Sequence, residues 1–413
     1  MRCPGPAILA LLLAACGGGG GGSPSTPATT PVISPSPVPV VQPGVGPASC
    51  TDGRAGDFAC NGIHLSKRVT LAELGGNRGN DLWGWTDPQD GSEYALVGLD
   101  DGVTFVNVTD PENPVVVGRL ATATVSSPWR DIKVARDYAY IVADGVGNHG
   151  MQVFDLTRLR DAGTNQSFLA DVTYGDFGSA HNIAINEESQ VAYVVGSDTC
   201  AGGLHMIDIS VANNPLFAGC HDADGDTHDA QCVTYHGPDT EHTGQEVCFN
   251  ANESHVVIVD VSDKPSPITI ADFTYPNLGF VHQVALSEDH RFMFLGDELD
   301  ELGFGMNTRT LVFDVSDLDT PALLYEHRAP TASIDHNMYV AGNRLYQANY
   351  TAGLRILEFT DLSTDTLSEV AFFDTWPAGD AATFNGAWSV YPFFASGVVI
   401  VSDIERGLFV LSL

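Results

Sequence analysis

From about residue 80 onward, one pattern of apolar and polar positions recurs along the chain. A small residue is followed by alternating apolar residues, then an acid or amide, then another apolar residue. Seven segments share it: Gly102-Val-Thr-Phe-Val-Asn107-Val, Gly150-Met-Gln-Val-Phe-Asp155-Leu, Gly203-Leu-His-Met-Ile-Asp208-Ile, His255-Val-Val-Ile-Val-Asp260-Val, Arg309-Thr-Leu-Val-Phe-Asp314-Val, Gly353-Leu-Arg-Ile-Leu-Glu358-Phe and Gly407-Leu-Phe-Val-Leu-Ser412-Leu. Four of them carry proline seven positions after the polar anchor, at Pro114, Pro215, Pro267 and Pro321, where a turn ends one strand and starts the next. Anchors 44 to 54 residues apart, filled with short alternating strands, are the signature of a β-propeller blade. Within the second repeat the strands read Asp131–Val134, Tyr138–Val142, Met151–Phe154 and Phe168–Val172. The seventh repeat ends after its third strand, which would leave a sheet edge open. Ile63–Leu71 has strand-like content and no repeat of its own, so it is expected to supply the missing strand. The predicted fold is all-β: a seven-bladed propeller closed by an N-terminal strand. No stretch sustains helical periodicity over three turns.

Composition narrows the partners. With 18 Lys+Arg against 52 Asp+Glu, the formal charge is −34, which excludes binding to nucleic acid through its phosphate backbone. It also argues against docking on anionic lipid through a basic patch. The 44% hydrophobic content is enough for a large core. Ahead of the repeats, Arg2 and the apolar stretch Ala7–Ala15 have the form of a secretory signal, too short to span a bilayer as a helix. It closes as Leu13-Ala14-Ala15-Cys16, which resembles a bacterial lipobox whose cysteine carries the acyl chains. Gly at position 17, rather than Asp, favours the outer membrane by the same resemblance. Residues 16–49, rich in Gly, Ser and Pro, read as a tether lipidated at Cys16, leaving 50–413 as the propeller. The chain is thus expected to be exported and lipid-anchored to the envelope, at the outer membrane or cell surface, as a monomer. Cys50, Cys60, Cys200, Cys220, Cys232 and Cys248 remain for disulfides, with 15 connectivities open and neighbour pairing favoured.

Several motifs bear a family resemblance. His255-Val-Val-Ile-Val-Asp260-Val-Ser-Asp resembles the LVIVD repeat. The order Cys50/Cys60, Asn80-Asp-Leu-Trp-Gly-Trp85, His228-Asp-Ala-Gln-Cys232 and Glu246-Val-Cys-Phe-Asn250 resembles the choice-of-anchor B family of bacterial surface proteins over residues 50–413. The resemblance implies a cell-surface propeller without implying an activity. The sequence departs from it at Asp226, where an aromatic residue is usual.

Candidate chemistry lies at the blade starts. The first strands open with Arg130-Asp131, His181-Asn182, His228-Asp229, His282-Gln283 and His336-Asn337. First strands line a propeller's channel, so His181, His228, His282 and His336 are expected to form an arc around one mouth. The second strands return to that mouth and end in Asp144, Asp198, Asn252-Glu253, Asp297-Glu298, Asn349 and Asp403. Asp144, Asp198, Asp297 and Asp403, with Asp131 and Asp229, join the histidines as candidate ligands. Imidazole with carboxylate suits a divalent transition metal, carboxylate alone suits calcium, and the same groups suit a small polar ligand. Repeated histidines would equally serve as hydrogen-bonded clips between blades. Asp222-Ala-Asp-Gly-Asp226 echoes calcium-loop spacing but lacks the bidentate Glu of a helix–loop–helix site. No phosphate loop, nucleophile elbow or His-Glu-x-x-His motif occurs. The expected role is a binding or scaffold module for a surface protein or small ligand, with a metal-assisted hydrolase or lyase as the alternative.

Overall fold

The anchor acids explain why each repeat folds alike. The side chains of Asn107, Asp155, Asp208, Asp260 and Asp314 each accept a hydrogen bond from the backbone N–H two residues on, closing the turn that leaves the third strand. In five repeats a β-bulge precedes the anchor by one or two residues, as between Ile258 and Val259. That bulge increases the local twist a blade requires. The computed structural model describes residues 46–413; the signal-like stretch, most of the tether and Cys16 lie outside the described residues.

Seven sheets result, antiparallel except for one added edge strand on the first. Their inner strands are Gly79–Thr86, Arg130–Ala135, Asn182–Asn186, Asp229–Thr234, Val281–Leu286, Met338–Ala341 and Ala387–Tyr391. Each packs beside the next, and the seventh packs beside the first, closing the ring. Apolar faces of neighbouring blades interlock between them. Phe249 and Ile258 of the fourth blade, for example, share a core with Leu295, Leu311 and Phe313 of the fifth, all essentially inaccessible. Burial of each such side chain stabilises the fold by about 1.5–3 kcal/mol.

The closing strand is as expected: His64–Val69 pairs antiparallel with Gly407–Ser412, from His64 opposite Ser412 to Val69 opposite Leu408. The segment before it adds protection that the repeat pattern does not show. Phe58–Asn61 pairs with Ser368–Phe373, the outer strand of the sixth blade, and Arg54–Ala55 pairs with Phe58–Asn61 in turn. Two neighbouring edges are thereby covered by one N-terminal stretch. The fourth strand of the second repeat needs correction. Gln166–Phe168 runs parallel to Val115–Ala121 on the outer edge of the first blade, and Val172–Tyr174 is the true fourth strand of the second. The residues between them span two blades, so the apolar pattern there belongs to two sheets.

All three neighbour disulfides form: Cys50–Cys60, Cys200–Cys220 and Cys232–Cys248, with Cα separations of 6.0, 5.6 and 4.0 Å. Cys232 and Cys248 lie directly opposite each other on the first two strands of the fourth blade. Three disulfides in one domain place its folding in an oxidising, extracytoplasmic compartment. Among the described residues no helix is long and apolar enough to cross a membrane.

Candidate metal centre at the channel mouth

The four histidines do form an arc. Ring centroids are 4.4 Å apart from His181 to His228, 4.5 Å from His228 to His282, and 4.4 Å from His282 to His336. Such spacing is possible because adjacent inner strands start at one level and each presents the same position. Trp388 takes over in the seventh blade, 4.8 Å from His336, and Phe280 packs edge-on against His228 at 5.1 Å.

Hydrogen bonds fix how three of the rings present themselves, whereas His282 Nδ1 is buried with no protein partner among the described residues. His228 Nδ1 lies 3.0 Å from the carbonyl oxygen of His282, and His336 Nδ1 lies 2.5 Å from that of Trp388. A carbonyl only accepts, so both Nδ1 atoms carry the proton and Nε2 holds a lone pair. The clip role foreseen for the histidines is therefore real at these two positions, and it uses one ring nitrogen only. A ligating histidine is typically oriented in just this way, its second nitrogen donating to a carbonyl. His181 differs. Its Nδ1 is 3.1 Å from Asp144 Oδ2. Burial alone would lower its pKa, but the hydrogen bond and charge of Asp144 outweigh that and raise it. The other three are lowered, first by burial and then by neighbouring imidazoles, His336 to about 3 despite its bond to Trp388. One end of the arc thus tends toward an imidazolium–carboxylate pair and the other offers neutral imidazoles.

The carboxylate at the neutral end is Glu298. Its Oε2 is 4.0 Å from His282 Nε2 and its Oε1 is 3.8 Å from His336 Nε2. The donor atoms of these three residues all lie within 4.8 Å of one another. Two donors each about 2.1 Å from one ion are separated by at most about 4.2 Å, so each histidine–glutamate pair is within reach of a shared ion, the two pairs using different Glu298 oxygens. Tyr350 donates to Glu298 Oε1 at 2.8 Å, holding the carboxylate in place. Burial pushes the Glu298 pKa up to about 7, with the Tyr350 bond opposing.

Asp144 is the one acid of the expected set that meets the arc. Asp297, immediately before Glu298, is fully buried and faces the other way. It accepts from the backbone N–H groups of Gly279 and Phe280 at 2.8 and 2.6 Å, from the Tyr275 hydroxyl at 2.9 Å and from Arg309 at 3.2 Å. It anchors the loop that leads into His282, so it positions a ligand instead of being one. Asp198 is exposed and accepts from the Gly178 N–H at 2.8 Å, away from the rings. Asp403 is buried and accepts from the N–H groups of Glu405 and Arg406 at 3.0 and 2.8 Å. Asp403 caps its own turn, and Asp198 ties its loop to the one that enters the same blade.

Asp131 and Asp229 belong to a polar belt formed by the residues that follow the arc. Asp131 Oδ2 accepts from the Ile183 N–H at 2.7 Å and its Oδ1 pairs with Lys133 Nζ at 2.6 Å. Asp229 accepts from Gln283 Nε2 at 2.8 Å, and Asn182 donates to the His228 carbonyl at 2.9 Å. This belt stitches blade to blade. Asp224 of the acidic turn accepts from the Thr269 hydroxyl at 2.5 Å, spending itself on the fold. Asp226 and Glu253 lie toward the His181 end of the arc; burial raises both, and the His181 charge opposes that rise. A second trio, Asp239, His242 and Asp319, sits at turns joining two blades, where the Asp239 oxygens accept from the N–H groups of Glu241 and Leu318.

No family model matches the chain, and no curated protein matches it. Solved structures share its architecture. A protein from Lactobacillus plantarum is 15% identical, covering 79% of this chain and 88% of its own, with a TM-score of 0.53. The β-propeller domain of Cps50 (Swd1) from Myceliophteria thermophila is 12% identical, covering 85% and 99%, at 0.54. The periplasmic gluconolactonase PpgL of Pseudomonas aeruginosa is 10% identical, covering 82% and 97%, at 0.51. At these identities the likeness is one of fold, and function has to be argued from the site.

Proposed function

We propose that this chain is an exported, lipid-anchored propeller of the choice-of-anchor B kind, acting as a binding module that holds one divalent transition ion at its channel mouth. His282 Nε2, His336 Nε2 and Glu298 would supply the ligands. The observation that carries the reading is the convergence of these three donors while His336 Nδ1 is tied to a backbone carbonyl. A mixed imidazole–carboxylate set suits zinc-class ions better than calcium, which takes oxygen alone. The ion would act as the fixed point to which a polar group of a surface partner or small ligand attaches. Anchoring rests on the Leu13–Cys16 motif and the tether that follows it.

Two experiments test the two halves of this reading. Protein purified without chelator should carry about one equivalent of a transition metal by elemental analysis, and His282→Ala with His336→Ala should carry none while melting as a folded protein. Unchanged metal content in that double variant refutes the site. Replacing Cys16 by serine should move the protein from the membrane to the soluble fraction. A variant that stays with membranes refutes the anchor.

A further inference from the structure

The inner strands all start at the histidine mouth, so their far ends meet at the opposite face. There they enclose a cavity of about 470 Å³. One wall is aromatic. Trp83, Tyr339 and Phe393 come from the first, sixth and seventh blades, with centroids 5.4 Å apart for Trp83–Tyr339 and 6.2 Å for Tyr339–Phe393. Phe393 is 42% exposed, unusual for a phenylalanine beside a cavity unless something covers it. Lys133, Asp229 and Gln231 add polar groups to the lining.

Several of these polar groups are only partly used by the protein. Lys133 Nζ has three N–H donors, and Asp131 at 2.6 Å and Asp81 at 3.4 Å account for two. The Tyr339 hydroxyl is buried with no protein hydrogen-bond partner among the described residues. Gln231 Oε1 accepts from the Leu286 N–H at 2.7 Å, which fixes the amide and leaves its NH₂ as donor. The Tyr339 hydroxyl is closed off from the cavity as well, so Tyr339 offers its ring face alone.

The charges select the ligand class. Lys133 Nζ already sits over the Trp83 ring, 4.7 Å from its centroid, so an incoming organic cation meets a resident ammonium. An incoming anion meets Glu187, Glu188 and Asp229 in the lining. A neutral molecule with one apolar face and several hydroxyls meets neither penalty. We propose that this cavity binds a neutral pyranose sugar, one ring face against Tyr339 and Phe393, its hydroxyls bonded to Lys133 and Gln231. The volume suits one or two sugar rings, and aromatic walls with a few convergent polar groups are typical of small-ligand sites.

The test is titration of the intact protein, in EDTA, with glucose, galactose, mannose, N-acetylglucosamine, cellobiose and lactose, read by tryptophan fluorescence and calorimetry. EDTA keeps the outcome independent of the metal reading, and the His282→Ala/His336→Ala variant should bind sugar unchanged. At least one sugar should saturate a single site at millimolar concentration or below. Phe393→Ala should weaken it about tenfold by removing the stacking face. Gln231→Glu, which keeps the acceptor for the Leu286 N–H and removes the NH₂ donor, should weaken it about fivefold. Failure of all six sugars to saturate overturns the proposal. So does a saturating sugar that both variants bind as tightly as wild type, or preferential saturation by benzyltrimethylammonium or glucuronate.

Discussion

At one end of the channel four imidazoles lie ring beside ring with a glutamate at their edge; at the other, three aromatic rings face a lysine held between carboxylates. Both ends are built from the same inner strands. The histidine mouth uses one register position repeated in four blades, so it inherits the regularity of the repeat. The aromatic mouth also uses one register position, two residues past the belt, but it holds a different residue in each blade: Trp83, Lys133, Gln231 and Tyr339, with Phe393 following the inner strand of the seventh blade. Duplication thus accounts for the first mouth, and individual divergence of blades for the second. Between them, the belt of Asp81, Asp131, Lys133, Asp229 and Gln283 carries charge and stitching but faces no ligand of the metal site.

The sharpest way to separate belt from mouths is Lys133→Met. It leaves Asp131 and Asp81 buried without their cation, so stability measured by denaturant should drop by about 3–5 kcal/mol. A loss below about 1 kcal/mol would show that the belt charges are solvated and the division between belt and mouths is wrong. Next in size is a pH effect at Asp403, an acid of the histidine face that the arc does not use. Burial raises its pKa to about 7 from the ordinary 3.8, with Glu405 adding to the rise. Its unfolded form ionises near pH 4 while the folded form holds the proton, so it withdraws stability progressively as pH rises from about 4 to about 7. Asp403→Asn should therefore melt like wild type at pH 4 and above it at pH 8; a constant difference across that range would contradict this. The smallest effect is expected for His228→Ala, which removes the bond to the His282 carbonyl and costs about 1 kcal/mol. This variant should keep its metal, because His228 lies outside the ligand trio; metal loss would extend the site along the arc.

The sequence makes the repeat, the ring closure, the disulfide pairs and the histidine register legible, because each depends on positions that recur or on near neighbours. Glu298 is harder to read. Successive residues at a strand end point to opposite sides, and the strand Phe292–Asp297 ends between the two acids. Asp297 turns to Arg309 and Tyr275 while Glu298, the first residue of the turn, reaches the histidines. Asp403 stands at the equivalent strand end but is claimed by its own turn, while Asp198 lies past the end of Val191–Val195 and is claimed by Gly178. The aromatic mouth shares a register too, but Trp83, Lys133, Gln231 and Tyr339 are four different residue types, so no repeated residue betrays it. Its one signal is the Asn80–Trp85 motif, in which Gly84 packs under the Tyr391 ring where any Cβ would come within 2.2 Å, and Trp83 is left to the cavity.

The central claim is that an ion sits between His282, Glu298 and His336. Anomalous diffraction above and below the zinc absorption edge, from crystals grown with zinc, tests it most directly. The account predicts one peak about 2.0–2.2 Å from both Nε2 atoms and a Glu298 oxygen. A peak elsewhere on the surface, or density showing the Glu298 carboxyl hydrogen-bonded directly to either imidazole with no ion between them, would contradict it.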